Sequence, residues 1–320
     1  MAAAVVMQAV SKRFGQSWAV RELDIRIEAG QTVALIGPSG CGKTTTLRMM
    51  NRLTEPTSGR VEVLGQDIAR TDPNVLRRRI GYVIQEVGLF PHYDVRRNIA
   101  VVPELLGWDR RRIHERVDEL MELVNLPPAE FAHRFPRQLS GGQRQRVGIA
   151  RALAADPELV LLDEPFGALD PITRESLQDQ FLSLSRRLKK TFVLVTHDIF
   201  EAVRLADCVV LLREGLITQI ATPAELVRKP ADKFAEAMLG RHRYQLSLMT
   251  VTLRDAIASR GTHPKAASAP GDPAAIELSA DLSIWDALDR MERERAERIR
   301  VREGEQTFLL SRGELLEAAR

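Results

Sequence analysis

The chain has 320 residues, 44% of them hydrophobic, enough for one large domain with a small appended one and too apolar for a disordered polymer. Its 46 basic and 43 acidic residues leave a net charge of +3. The arginines are spread through helical stretches such as Arg110, Arg111, Arg112 and Arg116, so no concentrated basic stripe marks a nucleic-acid binder.

The N-terminal segment, Met1 to Val10, lacks a basic region before its apolar run and reads as a strand rather than a signal peptide. Residues 4–10 and 22–27 are expected as short strands joined through Ser11–Val20, with a turn at Glu28-Ala29-Gly30. Gln31–Ile36 is a continuous apolar strand. It runs into a glycine-rich turn and a helix from about Lys43, which is how a parallel α/β layer begins.

That turn reads Gly37-Pro38-Ser39-Gly40-Cys41-Gly42-Lys43-Thr44-Thr45 and matches a phosphate-binding loop. Glycines let backbone N–H groups face an anion, and the following helix adds the positive end of its dipole. Lys43 is expected on the β- and γ-phosphates, Thr44 on Mg²⁺ and Thr45 near the α-phosphate. Cys41 and Cys208 have no metal-ligand spacing and fit a reducing compartment.

Ile80–Ile84 is a further buried strand. Residues 95–152 are helix-rich with alternating polar faces and read as an inserted helical subdomain. Within them Leu139-Ser140-Gly141-Gly142-Gln143 precedes a helix expected over Arg144–Ala154, with Ser140 as N-cap and two glycines that bare N–H groups. Taken alone, an ordinary capped helix start explains this run equally well.

Leu159–Leu162 is an apolar strand ending in Asp163-Glu164. Ligands of open α/β sheets sit at the carboxyl ends of strands. Asp163 can hold Mg²⁺ there, and Glu164 can orient or deprotonate an attacking water. Such a pair often does no more than cap a strand; with the phosphate loop it supplies the complementary half of one site. Strands at Thr191–Thr196 and Asp207–Leu212 follow. Ser259–Pro273, rich in Pro, Ala, Gly and Ser, reads as a linker. An amphipathic helix at Leu282–Glu294, a strand at Thr307–Leu310 and a terminal helix close the chain. No apolar run is long enough to cross a bilayer, so work at a membrane requires another chain to span it.

With LSGGQ at 139–143 beside the phosphate loop and Asp163-Glu164, the chain resembles the ABC ATPase family over about residues 4–240. The remaining motifs lie in the family's order. Phe14 stands where the family stacks adenine, and Gln85 ends the strand IGYVI like the Q-loop glutamine. Ala168-Leu169-Asp170 resembles the D-loop, and His197 follows TFVLV like the switch histidine. The resemblance implies an α/β P-loop NTPase core, 1–240, with an inserted helical subdomain and an antiparallel β subdomain. It implies ATP and Mg²⁺ as ligands, the metal held by Thr44, Gln85 and Asp163, and catalysis by Glu164, His197 and Lys43. It also implies a head-to-tail homodimer in which Ser140, Gly141, Gly142, Gln143 and Asp170 of one copy complete the other's site.

The stretches at 86–108, 163–178 and 195–202 closely resemble importer ATPases for osmoprotectants: glycine betaine, choline, carnitine or proline-type solutes. That implies membrane permease partners, an extracytoplasmic binding protein reached indirectly, and a place on the cytoplasmic face of the membrane. Residues 274–320 resemble one small regulatory CBS module, with 241–260 as a truncated first copy, giving an α+β regulatory or dimerisation tail over 241–320. Rival readings are a motor for another solute or for export, or a soluble ATPase acting on DNA or the ribosome. The long coiled-coil insertion and the second ATPase domain of the soluble classes are not found in the sequence.

Overall fold

A computed structural model describes residues 2–85, 88–259, 275–303 and 306–319. The linker expected at 259–273 falls, beyond Ser259, outside the described residues. Two compact units divide at Ile220 and Ala221.

In the first unit a six-stranded sheet runs in the order Leu216–Ala221, Cys208–Arg213, Thr32–Ile36, Thr191–Val195, Leu159–Asp163, Ile80–Val83. The pairings from Cys208–Arg213 through Ile80–Val83 are all parallel. Thr32–Ile36, Leu159–Asp163 and Thr191–Val195 are buried at every residue. Covered on both faces, they read as unbroken apolar runs rather than alternating ones. One face, with Val33, Leu35, Leu159, Leu161, Val193 and Val195, packs with Leu47, Met49 and Met50 of the helix Lys43–Met50. The same core takes Val5, Met7, Ile25 and Ile27 from a second, four-stranded sheet. At about 1.5–3 kcal/mol per buried aliphatic side chain, this packing fixes where the loop after Ile36 must lie.

The four-stranded sheet is antiparallel, in the order Ser17–Glu28, Ala3–Phe14, Ser58–Val63, Gln66–Asp67. Its first two strands are longer than expected, because Ser11–Val20 continues the ladder through a turn at Gly15-Gln16 instead of forming a connection. Lys12, Arg13 and Trp18 pair along this hairpin, whose outer half has little apolar signal. Ser58–Val63 was not legible either: half of SGRVEV is polar and lies on the exposed face.

Helices Val95–Leu105, Arg110–Leu123, Pro128–Phe131 and Gly141–Leu153 fill the region read as the helical subdomain. Asp94 and Asp109 cap the first two by accepting from the Arg97 and Arg112 amides. The last begins at Gly141, three residues before the expected Arg144, because the Ser140 cap satisfies its first turn.

The second unit, Ala221–Arg320, begins earlier than the boundary expected near 240. Arg243 donates to the carbonyls of Val227 and Arg228, joining the helices Pro223–Arg228 and Arg243–Thr250. Its sheet pairs Ala275–Ser279 parallel and Gln306–Ser311 antiparallel to Arg298–Glu303. Leu248, Val251, Leu253 and Ala256 share one core with Leu278, Ile284, Ile299, Val301, Leu310 and Leu315. Leu248–Ala256, from the segment read as a truncated first copy, therefore packs as part of the module that follows it.

Candidate functional site

The loop Gly37–Gly42 connects the carboxyl end of Thr32–Ile36 to the helix Lys43–Met50. Gly37 and Gly42 hold φ of 147° and 105°, where side chains are strained. Both also lie against backbone: a Cβ at Gly37 would sit 2.2 Å from the Leu212 carbonyl oxygen, and one at Gly42 would sit 2.5 Å from that of Ala19. Lys43 is buried within the loop, its Nζ donating to the carbonyls of Gly37 at 2.7 Å and Pro38 at 2.9 Å. Among the described residues its hydrogen bonds go to carbonyl oxygens, an arrangement an entering phosphate can replace.

Thr44 Oγ1 donates to Asp163 Oδ1 at 2.9 Å, linking the loop's helix to the end of Leu159–Asp163. Burial pushes the Asp163 carboxyl up, while the Thr44 hydroxyl and the Arg48 guanidinium oppose the shift and Glu164 adds to it. Arg48 Nη2 lies 4.0 Å from Asp163 Oδ2. Tyr82, whose hydroxyl is pushed up by burial and by Asp163, stands on the neighbouring strand. Sequence reasoning missed Arg48 and Tyr82. Both lie in elements it placed, but only strand register brings Tyr82 opposite Leu161 beside the acid.

Glu164 holds φ of 46°, a left-handed backbone that costs a side-chain residue on the order of 1 kcal/mol. Its amide donates to the Val195 carbonyl, and its own carbonyl accepts from Gly167. The carboxylate is thereby turned toward two other predicted residues. Gln85 Nε2 donates to Glu164 Oε2 at 3.0 Å, and His197 Nδ1 lies 3.7 Å from the same oxygen. Lys43, Thr44, Gln85, Asp163, Glu164 and His197, separated by up to 154 residues, therefore meet at the carboxyl edge of one sheet.

Other predicted residues stand elsewhere. Phe14 is 55% exposed near the hairpin tip, with Lys12 Nζ 5.0 Å from its ring centroid. Pro38, Ser39, Gly40, Cys41 and Thr45 lie in the loop and the first turn after it, Cys41 being buried. Ser140 and Gln143 form a reciprocal cap, Ser140 Oγ accepting from the Gln143 amide at 3.2 Å and Gln143 Oε1 accepting from the Ser140 amide at 2.8 Å. The amides of Gly141 and Gly142, in the first turn, have no intrahelical acceptor. Among the described residues no hydrogen bond joins this helix start to the phosphate loop. It packs instead on the helix Pro171–Leu188: a Cβ at Gly142 would meet Thr173 Cγ2 at 2.4 Å. Asp170 caps that helix by accepting from the Thr173 amide at 3.0 Å.

Beyond Gln85, residues 86 and 87 lie outside the described set. Past them a cavity of about 790 Å³ is lined by Tyr93, Arg97, Glu104, Trp108, His114 and Phe135 of the helical region. No helix among the described residues is long and apolar enough to cross a membrane.

A glycine loop between a buried strand and a helix, facing an acidic strand end, defines a P-loop nucleotide-binding protein. Residues 20–167 match the family described as ABC transporter. The chain is 46% identical over 296 residues to the glycine betaine/carnitine/choline transport ATP-binding protein OpuCA of Bacillus subtilis, covering 92% of this chain and 74% of that protein. It is 47% identical over 282 residues to the osmoprotectant import ATP-binding protein OsmV of Salmonella typhimurium, covering 88% and 72%. A dimeric post-hydrolysis state of an ATP-binding cassette bound to ADP and Pi matches with TM-score 0.61 and 33% identity, covering 68% of this chain and 98% of that one. The chain belongs to the ABC transporter family and is an ABC-type ATPase.

Proposed function

We propose that this chain hydrolyses ATP to drive import of an osmoprotectant through a separate permease, the solute being a quaternary amine such as glycine betaine, choline or carnitine. The observation that carries the catalytic half is the convergence of Gln85 and His197 on one oxygen of Glu164, beside the Thr44–Asp163 pair. The transport half rests on the relatives' names and on the extent of their similarity.

In this reading the loop amides and Lys43 bind the β- and γ-phosphates, Lys43 exchanging two carbonyl bonds for phosphate oxygens. Phe14 offers an exposed ring to the adenine. Thr44 Oγ1, the Asp163 carboxylate and the Gln85 amide oxygen are hard oxygen donors of the kind Mg²⁺ takes. The Asp163 carboxyl, disfavoured as an anion by burial, would be one of the groups holding that ion and would take its counter-charge from it. Mg²⁺ would neutralise charge on the phosphate oxygens. Glu164 orients and deprotonates the attacking water, held in aim by Gln85, and His197 supports the γ-phosphate. The Gly141 and Gly142 amides of a second copy close the site from the other side. ATP then binds two copies together and ADP does not. The cavity beyond Gln85 supports a seat for the permease on the helical region. The chain would work at the cytoplasmic face of the membrane, with an extracytoplasmic binding protein delivering the solute.

The test uses the chain reconstituted with its permease. Glu164→Gln should retain ATP binding, lose at least about a hundredfold in hydrolysis, and remain a dimer when ATP and Mg²⁺ are present. Normal turnover by that variant removes Glu164 as the base. Lys43→Ala should lose ATP affinity at least tenfold. Stimulation of hydrolysis by a binding protein loaded with glycine betaine, choline or carnitine supports the import reading, and failure of all three refutes it while leaving the ATPase intact.

A further inference from the structure

We infer that Glu201 is a positioning residue for His197, acting through the Thr196 hydroxyl and tying the histidine's loop to the helix Pro171–Leu188. The inference rests on the proposed role of His197.

His197 sits between the strand Thr191–Val195 and the helix Ile199–Leu205. Its side chain is mostly exposed and, among the described residues, its polar contact is a long one to Glu164, so its aim depends on the residues either side of it. These are clamped. Thr196 Oγ1 donates to Glu201 Oε2 at 2.6 Å and accepts from the Asp198 amide at 3.0 Å. The Thr196 amide donates to Leu35, the strand residue just before Ile36 and the phosphate loop. Asp198 in turn accepts from the Phe200 amide. Glu201 is 5% exposed, and its other oxygen accepts from Gln178 Nε2 at 3.0 Å. Gln178 Oε1 accepts from Arg204 Nη1.

A charge-bearing group is an unusual choice for this position. Burial pushes the Glu201 carboxyl up; the Thr196 donor opposes the shift, Asp198 adds to it, and Arg174 and Gln178 oppose it. Only a group with two acceptor oxygens satisfies both neighbours. An amide at 201 would set its N–H either against the Thr196 hydroxyl, leaving that hydroxyl's proton without its acceptor, or against the Gln178 Nε2 donor. The network also reaches the loop before the helix. Arg174, one turn before Gln178, donates to the carbonyls of Gly167 and Leu169. Arg174 reaches Glu201 only through its charge, whereas the His197 loop is bonded to the buried carboxylate through Thr196, a tie that nothing in phosphate binding requires.

The test compares Glu201→Gln, Thr196→Val and His197→Ala in the full chain with its permease, reading kcat and KM for ATP per nucleotide-binding molecule, together with melting temperature. His197→Ala alone must lose turnover; if it does not, the reading of His197 has failed and not this one. With that loss established, Glu201→Gln should lower kcat at least about tenfold with KM within about twofold. Thr196→Val, which removes the hydroxyl's bonds to Glu201 and to the Asp198 amide together, should lower kcat in the same sense, and it serves if the Glu201 variant does not fold. In a His197→Ala background, Glu201→Gln should change the residual rate less than about twofold. A lower melting temperature with kcat unchanged, or a further tenfold loss on top of His197→Ala, overturns the inference.

Discussion

Asp163 shows what single residues in this site give up. The residue is 3% exposed and its carboxyl is pushed up chiefly by burial, with Thr44 and Arg48 offsetting part of the cost. A raised folded-state pKa means the folded protein holds the proton more tightly than the unfolded chain does. Asp163's contribution to stability is therefore complete below the ordinary carboxylate pKa and is lost as pH rises through the folded value. Above the folded value the ionised side chain weakens the nucleotide-free protein. Asp163→Asn should accordingly melt higher than the parent at pH 7–8 without nucleotide, by about 2–4 °C for each kcal/mol relieved. The gap should close as the pH is lowered into the carboxylate range, and ATP hydrolysis should be lost. Melting curves taken from about pH 4, near the ordinary carboxylate value, up to pH 8 decide it: a constant gap, or a variant that melts lower at neutral pH, refutes the assignment.

Between elements, the close approach of Ile80–Val83 to the helix Gly141–Leu153 sets the path toward Gln85. It depends on Gly81, where a Cβ would sit 2.5 Å from the Ala152 carbonyl oxygen and 3.2 Å from Pro157. The obstruction is backbone and cannot rotate away, so Gly81→Ala should cost about 1–3 kcal/mol, the range for overpacked interiors. Denaturant unfolding should show that as an earlier midpoint at unchanged slope. This contact could not be read from the sequence, since nothing local in IGYV distinguishes a glycine needed for packing from one that merely weakens a strand. What was legible follows one rule. Thr32–Ile36, Leu159–Asp163 and Thr191–Val195, buried on both faces, carry continuous apolar runs, and each was placed to within a residue. Ser17–Glu28 and Ser58–Val63, half exposed and polar, were shortened or missed. The chemistry divides in the same way. Lys43, Thr44, Glu164 and His197 belong to contiguous motifs and stood out. Tyr82, Arg48, Gln178 and Glu201 touch the site or its supports only through tertiary packing, and their local sequence is that of any strand or helix.

For the molecule as a whole, each unit has its own core: the first built on the central sheet and its antiparallel neighbour, the second on Leu248, Leu253, Ile284, Ile299, Val301 and Leu315 among others. The residues proposed to hold ATP all precede residue 200 and belong to the first. Chains with separate cores depart from two-state unfolding. A ligand stabilises the part that binds it, by about 2.7 kcal/mol when present at a hundred times its Kd. Calorimetry of the Glu164→Gln variant should therefore resolve two transitions, of which ATP with Mg²⁺ raises one. Ile299 is fully buried in the second core, in the middle strand of its sheet, and Ile299→Asp places an unpaired carboxylate there. That substitution should abolish the transition ATP does not move and leave the nucleotide-dependent shift of the other within about 1 °C. The two cores would be one cooperative structure if a single transition moved as a unit with ATP, or if Ile299→Asp removed nucleotide binding. The second unit could not then unfold and leave the nucleotide site in place, as an appended regulatory or dimerisation module must be able to do.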